Sequence, residues 1–192
     1  MLSTYGAISF RPAENITGIM GLYDWRKPAL DDPAARAITD FFSRQPITLK
    51  TTDTVIKAKQ IMVNSHMDFA LVLNDKGDFC GGICSTDFDH SAATHQLESA
   101  AMENRLVHEF MTPKHQLSVL SMTDLRRAPM GTLLRTLEQV ESQHILISHN
   151  PELTDKILGL ISARDLARLF RIPFAESGQE SFQTIVSAII AG

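Results

Sequence analysis

Gly159-Leu160-Ile161-Ser162-Ala163-Arg164-Asp165-Leu166 is the stretch on which the fold turns, because the chain contains it twice. Gly81-Gly82-Ile83-Cys84-Ser85-Thr86-Asp87-Phe88 matches it in order, and the glycines and aspartates of the two copies are each 78 residues apart. In both copies an apolar run ends where an amphipathic one begins, which predicts a strand feeding a helix. Working back from the first copy, a short strand at 47–49 leads to the capping residues Thr52-Asp53-Thr54. A helix follows with Val55, Ala58, Ile61 and Met62 on one face. A buried-looking strand at 69–73, the turn Asn74-Asp75-Lys76-Gly77-Asp78 and a strand at 79–84 complete the unit, with a helix opening near Ser85. The second copy ends a unit of the same order. It has a strand at 117–120, a helix beginning near Pro129 with Met130, Leu133, Leu134, Leu137 and Val140 as its stripe, and a strand at 145–147. A longer turn at 149–156, a strand at 157–161 and a helix at 162–170 close it.

The second unit carries extra residues within 121–128. Similar lead-ins, Asp40-Phe41-Phe42-Ser43 and Glu109-Phe110-Met111-Thr112-Pro113, precede the two units. Ahead of the first, Asp31-Asp32-Pro33 combines an acidic cap with a proline in the first turn and predicts a helix reaching about Phe42. Met20, Leu22, Tyr23 and Trp25 belong to an N-terminal arm without clear periodicity. Near the C-terminus, after a loop at 176–180, Phe182, Ile185, Val186 and Ile189 form one helical stripe, expected to fold back on the chain. Two units of this size, each too small to bury its own faces, are expected to pack on each other.

Composition narrows the function classes. The chain has 192 residues, 44% hydrophobic, enough for one good-sized domain or two small ones sharing a core. A net charge of -4 and a pI near 5.9 leave no basic excess for nucleic acid. No basic start followed by an apolar run opens the chain, and the apolar tail at 185–191 is too short to span a bilayer, so no membrane association is expected. The two cysteines, Cys80 and Cys84, lie in one predicted strand, too extended there to bridge, which fits a reducing cytoplasm. The histidines show no metal-ligand spacing and no second cysteine pair exists, so no metal is expected. His144, opening a buried-looking strand, reads as a satisfied core or edge residue.

The strand–helix–strand–turn–strand–helix order, closed by Gly-x-x-Ser/Thr-x-x-Asp, resembles a CBS domain, and the doubled unit resembles a tandem CBS pair, or Bateman module. The second repeat follows the family pattern throughout Gly159–Leu166, and Phe110-Met111-Thr112-Pro113 is a family-like lead-in. The first repeat departs from it with Cys84 in place of the usual Ser or Thr. The proline common in the middle strand is missing from both repeats. The resemblance implies an α/β fold of two repeats packed as one pseudo-twofold module with helical extensions at both ends. Its divisions are an arm and helix start at 1–36, a first repeat at 37–96, a linker helix at 97–112, a second repeat at 113–171 and a C-terminal loop and helix at 172–192. It also implies a non-catalytic regulatory module that binds an adenosine-containing ligand such as AMP, ADP or ATP between the repeats, needs no cofactor, forms a homodimer and acts on a protein partner in trans.

The residues suit that chemistry. The first turn of a helix offers unpaired backbone N–H groups and the positive end of a dipole, which favour a phosphate. Ser162 adds a small hydroxyl, Arg164 a cation, and Asp165 two acceptor oxygens for vicinal ribose hydroxyls. In the first repeat Asp87 keeps the ribose role and Cys84 is a poor phosphate donor, which leaves three alternatives: Thr86 as the substitute hydroxyl, a ligand with fewer phosphates, or an empty site. The resemblance places the adenine walls near Ile47-Thr48 and Leu117-Ser118. Two rival readings stand beside this one. Ser162 and Asp165 have the spacing of a capping box, a structural role that suits an interaction module without nucleotide. An enzyme at Cys80 or Cys84 needs a thiol of low pKa near a positive group.

Overall fold

The computed structural model describes residues 26–88, 104–149, 156–174 and 180–191. The first repeat comprises β1 (Thr39–Asp40), β2 (Thr48–Lys50), α1 (Val55–Asn64), β3 (Phe69–Leu73), β4 (Phe79–Cys84) and a helical turn at 85–88. The second comprises β5 (Thr112–Pro113), β6 (Val119–Ser121), α2 (Met122–Arg127), α3 (Met130–Leu137), β7 (His144–Ser148), β8 (Ile157–Ser162) and α4 (Ala163–Phe170). α5 (Phe182–Ala191) follows. The extra residues within 121–128 form α2, capped by the Ser121 hydroxyl.

Two four-stranded sheets result, ordered β1-β8-β7-β6 and β2-β3-β4-β5. Strands point successive side chains to opposite faces, and here both faces are covered. On β7, Ile145 and Ile147 pack among the helices while Leu146 faces the other sheet. On β3, Ala70 and Val72 face the helices while Phe69 and Leu71 face the other sheet. The seam between the sheets is thus closed by Phe69, Leu71, Leu146 and Leu160. α5 lays Phe182, Ile185, Val186 and Ile189 on the core of the second repeat, folding back as its stripe predicts.

The lead-ins cross over. β1 belongs to the first repeat by sequence but pairs with β8 of the second, Thr39 opposite Leu160 and Asp40 opposite Gly159. β5 leads into the second repeat but pairs with β4 of the first, Gly81 opposite Pro113 and Gly82 opposite Thr112. Thr39 and Thr112 are therefore the equivalent residues, and the lead-in match is displaced by four residues from the alignment of Phe41 with Phe110. Among the described residues the N-terminal extension is helical for one short turn, Ala34–Ala37, and the expected continuation to Phe42 gives way to β1. Pairing to β8 satisfies the backbone there, and Asp32 spends its carboxylate on Arg26, Arg36 and the Ala29 N–H rather than on a longer helix. The arm before residue 26, the first part of the linker helix, the tip of the second turn and the loop before α5 lie outside the described residues.

Candidate functional site

The end of β8 places Ser162 at the cap of α4, where its side chain accepts a hydrogen bond from the Asp165 N–H at 3.0 Å. The serine half of a capping box therefore exists, and such a cap stabilises a helix by about 1 kcal/mol. The Asp165 carboxylate is turned elsewhere. The Thr39 hydroxyl donates to Oδ2 at 3.0 Å, and Arg168 Nη1 lies 3.5 Å from Oδ1. Thr39 reaches this carboxylate only because β1 has crossed to the second sheet. Both residues line a cavity of about 450 Å³ whose other walls include Ile38, Leu169 and the cations Arg36, Arg168 and Arg171. One carboxylate among three guanidinium groups gives the cavity a positive rim with a single polar acceptor set into its wall.

The first repeat uses its aspartate differently. Asp87 Oδ2 accepts a hydrogen bond from the backbone N–H of Cys84 at 2.7 Å, the other half of a capping box. The two repeats thus divide the motif: Ser162 caps and leaves Asp165 to the cavity, whereas Cys84 cannot cap and Asp87 folds back to do so. Cys84 Sγ instead lies 3.4 Å from Nδ1 of His144, across the seam. Thr86 is half-buried in the same turn.

A family model for the CBS domain matches residues 38–89. Over that stretch the chain is similar to a CBS domain. Solved structures extend that fold over both repeats. A conserved CBS-domain protein of unknown function from Thermoplasma acidophilum aligns with 80% of the chain and 77% of its own length at 12% identity, with a TM-score of 0.52. A CBS-domain-containing protein from Agrobacterium tumefaciens aligns with 69% of the chain and 90% of its own at 16% identity and the same TM-score, 0.52. An uncharacterized conserved protein from Pyrococcus horikoshii aligns with 77% of the chain and 98% of its own at 22% identity and a TM-score of 0.56. At these identities the likeness is one of fold: a tandem CBS pair. No curated protein matches the chain by sequence.

The seam between the CBS repeats holds a charged group that no motif announced. Asp68, the residue before β3, sets Oδ2 at 2.9 Å from Arg164 Nε and Oδ1 at 3.9 Å from His144 Nε2. His144 is 7% exposed and stacks on Phe69, its counterpart in the other repeat, at 4.5 Å between ring centroids. Burial works to raise the Asp68 pKa, but the His144 imidazole and the Arg164 guanidinium outweigh it and hold the carboxyl below its usual range. Burial also pushes the Cys84 thiol far up, and the negative charges of Asp87 and Asp68 add to it. That environment opposes the thiolate an enzyme at Cys84 needs.

A depressed Asp68 pKa makes the unfolded chain the better proton acceptor between the folded value and the ordinary one, 3.8. The Asp68 contribution to stability is then complete above that ordinary value and is lost as pH falls through the folded value. Urea unfolding of wild type and Asp68→Asn at a series of pH values is expected to show a stability gap that closes as the medium is acidified below about 4. A gap of constant size down to the acid transition would contradict this assignment.

The remaining predicted residues lie away from the Asp165 cavity. β2 is the sheet edge opposite β5, and β6 the edge opposite β1. Ile47 packs on the first-repeat core, and its carbonyl accepts from the Leu71 N–H. Thr48 is exposed. Leu117 packs at the margin of the seam, and the exposed Ser118 accepts from the Leu146 N–H. The apolar walls beside Asp165 are Ile38 and Leu169 instead. Among the described residues no three His, Cys, Asp or Glu side chains are grouped to hold a metal ion, and no helix is long and apolar enough to cross a membrane.

Proposed function

We propose that this CBS pair is a regulatory module that senses an adenosine-containing ligand, such as AMP, ADP or ATP, in the cleft of the second repeat and acts on a protein partner in trans, as a homodimer. The observation that carries the reading is the freedom given to Asp165: because Ser162 supplies the cap, the carboxylate faces a cavity with Thr39 and three arginines rather than its own backbone. A carboxylate with a neighbouring hydroxyl suits vicinal ribose hydroxyls, and guanidinium groups suit a phosphate. The first repeat lacks this arrangement, since Asp87 is held by the Cys84 N–H, so a single ligand per chain is expected.

The test is a thermal-shift panel of AMP, ADP, ATP, S-adenosylmethionine and NADH. A ligand at about 100 times its dissociation constant should stabilise the fold by roughly 2.7 kcal/mol. The shift is expected to vanish in Asp165→Ala and to persist in Asp87→Ala, whatever either variant does to the unliganded baseline. Light scattering of the same samples reads the homodimer. The alternative is an interaction module without nucleotide, favoured by the narrowness of the slot joining Thr39, Ser162 and Arg164, only about 20 Å³. Wild-type protein unmoved by every compound would select that alternative.

A further inference from the structure

Arg164 stands in the middle of the Ser162–Asp165 motif, yet its guanidinium is turned across the seam to Asp68 of the other repeat. The contact is a poor one for a charged donor. Nε is 2.9 Å from the carboxylate but makes no hydrogen bond, although the atom is buried. The side chain as a whole is one-third exposed, and it lies over the ring of Phe174 at 5.2 Å. Asp68, Arg164 and Arg168 border both the narrow slot that reaches Asp165 and a larger cavity of about 760 Å³ on its far side. A group entering from either direction meets the same guanidinium.

The pseudo-equivalent positions are neutral. The Asp68 carbonyl accepts from the Ser85 N–H, as the Gln143 carbonyl accepts from the Ala163 N–H, so Gln143 occupies the place of Asp68. Thr86 occupies the place of Arg164 in the motif. The fold therefore does not require an ion pair at this point of the seam, and Gln143 and Thr86 form none at the pseudo-equivalent point.

We infer that Asp68 is an internal competitor for the anionic part of the ligand, holding Arg164 across the seam until a phosphate takes its place. This rests on the nucleotide reading above and extends it to how the cleft is regulated. Release of Arg164 uncouples Asp68, and with it the start of β3, from α4. Occupation of the cleft is thereby converted into a looser tie between the repeats at one edge of the seam. The device selects for charge: a phosphorylated nucleoside competes with Asp68, and the uncharged nucleoside does not.

The experiment is calorimetric titration of wild type and Asp68→Asn with AMP and with adenosine. AMP is expected to bind Asp68→Asn about fivefold more tightly than wild type, the scale of one half-exposed ion pair, while adenosine binds both alike. Equal AMP affinities would overturn the inference, as would an equal gain for AMP and adenosine, which would mean only a loosened cleft. If neither compound binds either protein the nucleotide reading fails, and inorganic pyrophosphate then decides this inference separately. Tighter pyrophosphate binding to Asp68→Asn supports it, and equal or undetectable binding overturns it. Should Asp68→Asn not fold, the Nε–Hε resonance of Arg164 in the wild-type protein reads the same event. It is expected to move on saturation with AMP, or with pyrophosphate if AMP does not bind, and an unmoved resonance overturns the inference.

Discussion

Phe69→Ala is expected to lower the unfolding free energy by about 3–5 kcal/mol, the range for removing a large buried aromatic side chain. The ring is 4% exposed and sits where the two repeats meet. It stacks on His144 at 22° between planes, and a Cβ on Gly82 would strike it directly. Its removal therefore leaves more than a missing hydrophobic group. The buried imidazole loses the surface against which it lies, and the sheets can close the space only by sliding leucines that are already packed. Urea unfolding of Phe69→Ala against wild type at equal m-value measures the loss. Phe42→Ala is the control: Phe42 is 89% exposed, and its truncation should stay within about 0.5 kcal/mol. A loss at Phe69 no larger than that at Phe42 would mean that the seam does not hold the repeats together.

What the sequence disclosed about this fold follows from the range of the interactions involved. The doubled motif and the continuous apolar runs at 69–73 and 145–147 are local patterns, and each run returned within a strand buried on both faces. The cap on α4 is equally local: three residues hold both donor and acceptor. β1 was illegible for the opposite reason. It is two residues long, it follows alanines that favour a helix, and its Thr39 side chain meets a partner 126 residues away. No window on the sequence contains that pairing. Asp68 escaped notice likewise, as one acidic residue before a strand, given meaning only by Arg164 and His144 arriving from the other repeat. The difference between Asp87 and Asp165 was half legible. Cys84 marked the first repeat as the weaker copy, but only the geometry shows that its aspartate has taken over the capping work.

That division of labour gives the motif glycine a role separate from any ligand. Gly159→Ala is expected to cost about 1–3 kcal/mol, as overpacking against an inflexible neighbour does. The added Cβ would lie 3.1 Å from the Ile38 side chain and 2.5 Å from the Thr39 carbonyl oxygen, and the backbone of a paired strand cannot swing aside as a side chain does. Gly81 faces the Thr112 carbonyl in the same way, so the two glycines are kept small by the exchanged lead-in strands rather than by a phosphate. The cost at Gly159 should reach the site, because pushing β1 away withdraws the Thr39 hydroxyl from Asp165. Any nucleotide-induced thermal shift should therefore shrink along with the baseline stability. Gly131→Ala supplies a comparison of opposite sign. Its nearest neighbour would be 3.6 Å away, ordinary contact, and alanine is the better helix residue by about 0.5–1 kcal/mol, so that variant should melt higher than wild type. If Gly159→Ala proved as benign as Gly131→Ala, β1 would not be paired to β8, and Thr39 would have no route to the carboxylate on which the cleft depends.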